Sequence, residues 1–474
     1  MSSFTGNPPD AASAADDAPA LPPSPAGNGK PPADFGTAQR LRSIRSRFRS
    51  NSHSQAHDDD EAAAEHGAVR LDNLPDHPLI PRGKAAIVDT DEALGALVEL
   101  LRRPQPGADG RPEFAYDSEF IGESTYHPRL CLVQIATARG IWLVDPLAGL
   151  DLDPFWQLIG DASVRKVVHA GEQDLEPAVR LAGVAPANVV DTQVLAGFCA
   201  LPYPTSLAKL VEHFCGVKLG KGLTFTQWDQ RPLSKKQLAY AADDVRFLPA
   251  LASALEACLS GNGLTGWAVA ECDRRASVDM LADAGEAWER VRGAGGLTGQ
   301  QLAVLRELAA WRDEVAREAD LPARALLKDE VLIDIARRPP AAAAKLGNYR
   351  HMPKPVADRY GEAVMAAIAR GRASAPLATG PRGVEPTLSE KFTADAAYAL
   401  LQTVAASRGI DPNLLASRRD TESFTRRASA GKSVEGHPLM QGWRREAAGT
   451  LLLDMLTRDG EARLHWSAGR PRLE

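Results

Sequence analysis

Two stretches decide the fold: FAYDSEF at 114–120 and VRKVVHAGEQDLE at 164–176. The first has the length and alternation of a β-strand, so Asp117 and Glu119, two apart, share one face of it. The second passes from an apolar strand into the helical spacing of EQDLEPAVRLAG, a strand-to-helix junction with Asp174 in the first helical turn. Working outward, AAIV (85–88), LCLVQIA (130–136) and GIWLVD (140–145) read as further strands. Asp89 with Glu92 marks a helix start before ALGALVELL. The helical stretch LSKKQLAYAADDVRFLPALASALEACL ends this region near residue 260. Strands interleaved with helices predict an α/β domain, a mixed sheet with flanking helices over 76–265.

Beyond it the strand signal fades. Residues 266–294 read as a connecting helix, and 295–372 as a helical unit that closes on the glycine after RYGEAVMAAIAR. The Pro- and Gly-rich 373–387 reads as a linker. A second all-α unit is expected over 388–474. At the other end, residues 1–75 are dominated by Ala, Pro, Ser and Asp and read as a disordered tail, too poor in apolar residues to offset chain entropy. Its LRSIRSRFRS run (41–50) is either a solvated segment balanced by the acidic HDDDEAAAEH or a point of contact with RNA.

Bulk properties narrow the class. In 474 residues, 55 Lys and Arg against 61 Asp and Glu leave a net charge of -6, which excludes a protein that coats nucleic acid by charge alone; contact must be local or bridged by cations. Five cysteines without a C-x-x-C pair fit reduced thiols. The absence of a long apolar run and of a basic start followed by an apolar stretch points to a cytoplasmic chain with no membrane partner.

The acidic residues carry the chemistry. An unpaired carboxylate is costly to bury, and a divalent cation is the natural partner of two on one strand face; alone, D-x-E is also what an exposed strand shows. Asp174 is explained equally by the helix dipole. Tyr240 and Asp244, at i and i+4, share a helix face, while Asp243 points about 100° away and reads as solvated or structural.

Taken together, DSEF, HAGEQDLE, and Trp228, Arg231, Pro232 and Leu233 followed by YAADD resemble the three motifs of the DEDDy exonucleases, and among them the ribonuclease D family. TYHPRLCLVQIA and LVDPL resemble that family's second and third strands. Thr226 and Gln227 stand where the family commonly carries a Ser-Asp pair. The resemblance implies a ribonuclease H-like fold and a 3′-to-5′ exoribonuclease that releases nucleoside 5′-monophosphates. It also implies two divalent ions, Mg²⁺ or Mn²⁺, held by Asp117, Glu119, Asp174 and Asp244, with Tyr240 orienting or deprotonating the attacking water. LRELAAWRDEVAREADLPARALLKDEVLIDIARRPP resembles an HRDC domain, and the last unit a more degenerate second one. Arg418, Arg419, Arg444 and Arg445, with Arg426 and Arg427, form either a phosphate-binding face or an ordinary charged helix surface. Transfer RNA precursors or other small structured RNAs, met by a monomer, are the expected partners. A DNA-directed exonuclease and an inactive nucleic-acid scaffold are the alternatives. Every expected ligand precedes residue 290, so the part before it is expected to trim short RNA unaided.

Overall fold

The computed structural model describes residues 77–106, 110–122, 124–220, 222, 226–277, 284–377, 387–458, 463–467 and 470–473; the tail expected at 1–75 and most of the 373–387 linker lie outside them. A six-stranded sheet has the order β1-β4-β3-β2-β5-β6, with β1 Ala86–Val88, β2 Glu113–Ile121, β3 Arg129–Thr137, β4 Gly140–Val144, β5 Arg165–Val168 and β6 Val189–Asp191. β3 runs antiparallel to β2 and β4, while the β1–β4, β2–β5 and β5–β6 pairs are parallel. The sheet is therefore mixed, as expected.

The helices around it are α1 Asp91–Leu101, α2 Asp153–Gly160, α3 Glu172–Ala182, α4 Thr192–Gly197, α5 Leu207–Cys215, α6 Lys235–Arg246, α7 Leu248–Asn262 and α8 Thr265–Ala276. One sheet face packs Phe114, Tyr116, Val133 and Ile135 against α1, α2 and α3. β2 is paired with β5 over Glu113–Ala115 and with β3 from Ala115 to Ile121, so the start of the strand is held by one neighbour and its carboxylate-bearing half by the other. Its neighbour Arg165 on β5 pairs with Glu113 at 3.0 Å and with Glu256 of α7.

α9 Gly299–Glu318, α10 Ala323–Leu326, α11 Asp329–Arg337 and α12 Lys354–Ala373 enclose a separate core built on Leu305, Leu308, Trp311, Ile335 and Ile368. A capping box on Thr298 and Gln301 starts α9. The segment expected to connect the domains divides between two cores: α8 carries Cys272 into the nuclease side, whereas Ala287 and Val291 join the helical core.

The last unit differs from expectation in two ways. Its helices α13 Leu388–Ser407, α14 Pro412–Leu415, α15 Arg418–Ser429, α16 Gly442–Arg444 and α17 Thr450–Thr457 have no core of their own; Leu401, Phe424, Leu439 and Leu452 form one continuous cluster with Phe198, Leu251 and Leu255 of the nuclease domain. It is also not all helical. Strands β7 Leu464–Ser467 and β8 Arg470–Leu473 pair as an antiparallel hairpin, because the alternation of LHWS and RPRL has a period of two.

Candidate active site

Asp117 and Glu119 project from the centre of β2, where Asp117 lies opposite Gln134 and Glu119 opposite Leu132. Helix α6 packs across this face. It is positioned by Arg231, whose guanidinium grips the Asp145 carboxylate at the end of β4 at 2.5 and 2.7 Å and donates to the carbonyls of Cys131 and Trp228, both at 2.7 Å. A capping box on Ser234 and Gln237 then starts the helix. Trp228 and Ala241 pack on Leu132 and Leu143 below. The turn spacing of α6 thus delivers Asp244 to β2: carboxylate oxygens of Asp117, Glu119 and Asp244 all lie within 4.8 Å of one another. Asp243 instead pairs with Arg246 at 3.0 Å.

Asp174 arrives from the other side. Ser118 points away from its neighbours Asp117 and Glu119, and its hydroxyl donates to Asp174 Oδ1 at 2.5 Å. Tyr116, on the same face as Ser118, donates to the Asp174 carbonyl at 2.5 Å. The turn before α3 is held by the Asp191 carboxylate, which accepts from the amides of Ala170 and Gly171 at 3.0 and 3.3 Å. Gly171 has no room for a side chain, since a Cβ there would sit 2.5 Å from Val168 Cβ.

Four carboxylates in this space resist ionisation. Burial first, then the charges of Asp174, Asp244 and Glu119, push the Asp117 carboxyl well above its usual range. Burial and the charges of Asp244 and Asp174 push Glu119 to about 8. Burial lifts Asp244 to about 7 against the hydrogen bond from Tyr240, and lifts Asp174 to about 6 against the hydrogen bonds at Ser118. The Tyr240 hydroxyl is also pushed up, by burial and then by Asp244, Glu119 and Asp117. Asp244 Oδ2 is buried and has no hydrogen-bond partner among the described residues. An all-oxygen donor set with an unpartnered inward-facing atom fits a hard divalent cation, which takes carboxylate ligands and offsets their repulsion.

The positioning roles of two motif residues were not read from the sequence, and one buried polar residue went unmarked. Ser118 and Arg231 act through Asp174 and α6. Gln134, opposite Asp117, is fully buried with neither amide atom hydrogen-bonded among the described residues; its only signal was a polar residue inside LCLVQIA. His169 is structural, its ring bonded to Thr192 Oγ1 at 3.0 Å and to the Thr205 carbonyl at 3.1 Å.

The cationic candidates separate. Arg444 is turned inward onto Glu271 at 2.7 Å and onto the carbonyls of Leu414 and Leu415, so it is an interior tie and not part of a surface face. Arg418 is paired with Asp395 and Glu422. Arg419 and Arg445 are exposed and form no ion pair among the described residues.

A carboxylate cluster on the central strand of a mixed sheet, completed by a Tyr-x-x-x-Asp helix and followed by a helical domain, defines a 3′-5′ exonuclease with an HRDC domain. Family models agree: residues 85–260 match the 3′-5′ exonuclease family and 301–368 the HRDC domain. Ribonuclease D of Bartonella henselae is 34% identical over 349 residues, 72% of this chain and 84% of that protein. Ribonuclease D of Escherichia coli is 31% identical over 380 residues, 78% of this chain and 98% of that one. The crystal structure of Escherichia coli RNase D, described as an exoribonuclease involved in structured RNA processing, superposes with a TM-score of 0.69 at 29% identity, covering 80% of this chain and all of that one. The chain belongs to the ribonuclease D family, and it is a metal-using 3′-to-5′ exoribonuclease.

Proposed function

We propose that Asp117, Glu119, Asp174 and Asp244 hold two divalent ions, Mg²⁺ or Mn²⁺, at the 3′ end of an RNA and that Tyr240 places the attacking water. The convergence of three carboxylates within 4.8 Å, with Asp244 Oδ2 unpartnered among the described residues, is the observation that carries this reading. Such ions stabilise charge on the attacking and leaving oxygens of an in-line displacement. The chain's own part is to hold the ligands rigid. Ser118 and Tyr116 fix Asp174, Arg231 fixes the approach of α6, and Tyr240 hydrogen-bonds Asp244. Tyr240, one helical turn from Asp244, is placed to orient the attacking water or to help deprotonate it.

The substrate reading rests on the relatives. The Escherichia coli protein acts in structured RNA processing, and transfer RNA precursors or other small structured RNAs are the substrates we assign to this monomeric, cytoplasmic enzyme. Residues 388–474 serve as a second, degenerate HRDC-like unit, a reading supported by helices α13 to α15 and their place after the first. The test is release of nucleoside 5′-monophosphates from matched 3′-labelled RNA and DNA with and without Mg²⁺ or Mn²⁺. Metal-dependent release from RNA with little from DNA supports the assignment; equal turnover of both favours a DNA-directed enzyme, and none an inactive scaffold.

A further inference from the structure

Outside the nuclease site, the C-terminal helical unit holds an open cavity of about 420 Å³. Its construction starts at the end of α15. Gly431 turns the chain with φ +66°, the Lys432 amide closes on the Arg427 carbonyl at 2.9 Å, and the Arg427 guanidinium donates to the Ser433 carbonyl. The loop that follows is therefore pinned as a wall. The facing wall is Arg445, which opens the π-turn Arg445–Gly449 between α16 and α17, with Leu453 and Thr457 of α17. A Cβ on Gly449 would meet the Leu439 carbonyl oxygen at 1.9 Å, so only glycine lets the Pro438–Met440 turn press onto the helix and bring Met440 to the cavity. π-turns are rare and are concentrated at functional sites.

The lining divides by chemistry. Val434, Met440 and Leu453 are apolar, whereas Lys432, Glu435 and Arg445 are charged. Lys432 and Arg445 are exposed and have no ion-pair partner among the described residues. Two other arginines of this unit are occupied, Arg418 by Asp395 and Glu422 and Arg444 by Glu271, and Arg419, though exposed, does not line the cavity. Two unpaired cations beside an apolar wall select a ligand with both an anionic group and a flat apolar part. The Glu435 carboxylate, also without an ion pair among the described residues, disfavours a plain anion and accepts from hydroxyl or amino donors. A nucleotide supplies all three features: phosphate for Lys432 and Arg445, ribose or base donors for Glu435, and a base face for Met440 and Leu453, where thioether sulfur packs well on aromatic rings. The volume lies within the range of small-ligand sites, about 300–1,000 Å³.

We propose that this cavity binds one nucleoside-monophosphate unit, supplied either by an RNA chain held away from the active site or by the free mononucleotide. The proposal rests on the exoribonuclease reading only for where that unit comes from.

The test uses the full chain in EDTA, so that nothing is hydrolysed. Titrations of 5′-AMP, 5′-UMP, inorganic phosphate and a 12-residue oligouridylate are compared for the unsubstituted protein, the double variant Lys432→Glu/Arg445→Glu, and Thr457→Trp, which places a bulky side chain at the exposed rim. A 4-thiouridine oligonucleotide is also cross-linked and mapped. Loss of two phosphate-pairing cations should weaken the bound probe by about tenfold or more and flatten the salt slope by about 0.7 per lost phosphate contact. Thr457→Trp should weaken it without changing the slope. Binding of mononucleotide and oligomer identifies a site open to the free nucleotide, and binding of the oligomer alone with cross-links within 428–457 identifies the RNA chain; both support the proposal. Phosphate competing as well as 5′-AMP, cross-links elsewhere, or affinities unchanged in both variants overturn it. The same preparation is assayed for Mg²⁺-dependent mononucleotide release, which separates failure of this cavity from failure of the nuclease reading.

Discussion

Replacing Glu271 by Gln tests how the C-terminal unit is joined to the nuclease. The Glu271 side chain is completely buried in the middle of α8. It accepts from Arg444 at 2.7 and 3.0 Å, from Trp443 Nε1 at 3.0 Å, and from Arg274 and Arg275 at 2.8 and 3.1 Å. Burial alone would raise its carboxyl; hydrogen bonds from Arg274 and Arg444, the Arg444 charge and the Trp443 N–H override it and hold the group far below the usual range. Arg274 is half exposed and re-solvates when the charge is removed. Arg444, 13% exposed, cannot, and stranding one member of a buried pair costs about 3–5 kcal/mol. Glutamine keeps the shape and one acceptor, so about 3 kcal/mol is expected. With a slope of about 1–3 kcal/mol per molar urea, the first unfolding transition should fall by about 1–3 M, read by fluorescence of the stacked Trp267 and Trp443. Glu271→Met with Arg444→Met should recover part of the loss. The pH dependence has a definite sign: a depressed folded value means that the stability is complete above the unfolded value of about 4.3 and drains away as pH falls toward the folded one. Glu271→Gln should lack that acid limb. An unchanged midpoint, or strictly additive effects of the Glu271 and Arg444 substitutions, would refute the argument.

Asp117→Ala or Asp174→Ala should abolish hydrolysis at saturating metal while leaving the metal-free melting temperature the same or higher, because each relieves carboxylate repulsion; retained turnover would remove that residue from the ligand set. Tyr240→Phe should slow single-turnover hydrolysis by about 10² to 10⁴ with RNA affinity little changed, and an unaltered rate would leave it a packing residue. Metal titration near pH 7 should release protons, since Glu119 titrates near 8 and Asp244 near 7 without metal, and apparent affinity should rise with pH; calorimetry in two buffers of different ionisation enthalpy measures both. Ending the chain at residue 290 should yield an aggregating, inactive nuclease, contrary to the independence expected from the ligand positions, because it strips Trp443 from Phe198, 4.9 Å away, and Leu414 from Gly197; a monodisperse active fragment would disprove this.

The sheet and most of the site were legible because period and spacing are local properties. A strand of FAYDSEF places Asp117 and Glu119 on one face whatever surrounds it, and YAADD places Tyr240 and Asp244 one turn apart by helix geometry alone. Ser118 was not legible: its role depends on Asp174, 56 residues away, and nothing in DSEF announces a partner across the sheet. The same holds for Arg231, which reaches back 86 residues to Asp145.

The C-terminal unit shows the limit most clearly. An amphipathic helix states that it has an apolar face but not what will cover it. α13 to α17 look from the sequence like a self-contained bundle, and the linker-like Pro and Gly content of 373–387 reinforces that view. Yet the Gly197 carbonyl accepts from the Asp411 amide, the Gly409 carbonyl from the Ala200 amide, both at 2.8 Å, and Glu271 is satisfied by Arg444 across the same seam. A buried acid on α8 and an arginine 173 residues later each read as an ordinary surface charge until they are paired. Their pairing turns an arginine expected to hold RNA into one that holds the nuclease domain to its last helices. It leaves Arg445, one residue further on and opening the π-turn, facing solvent, where phosphate contact remains open to it.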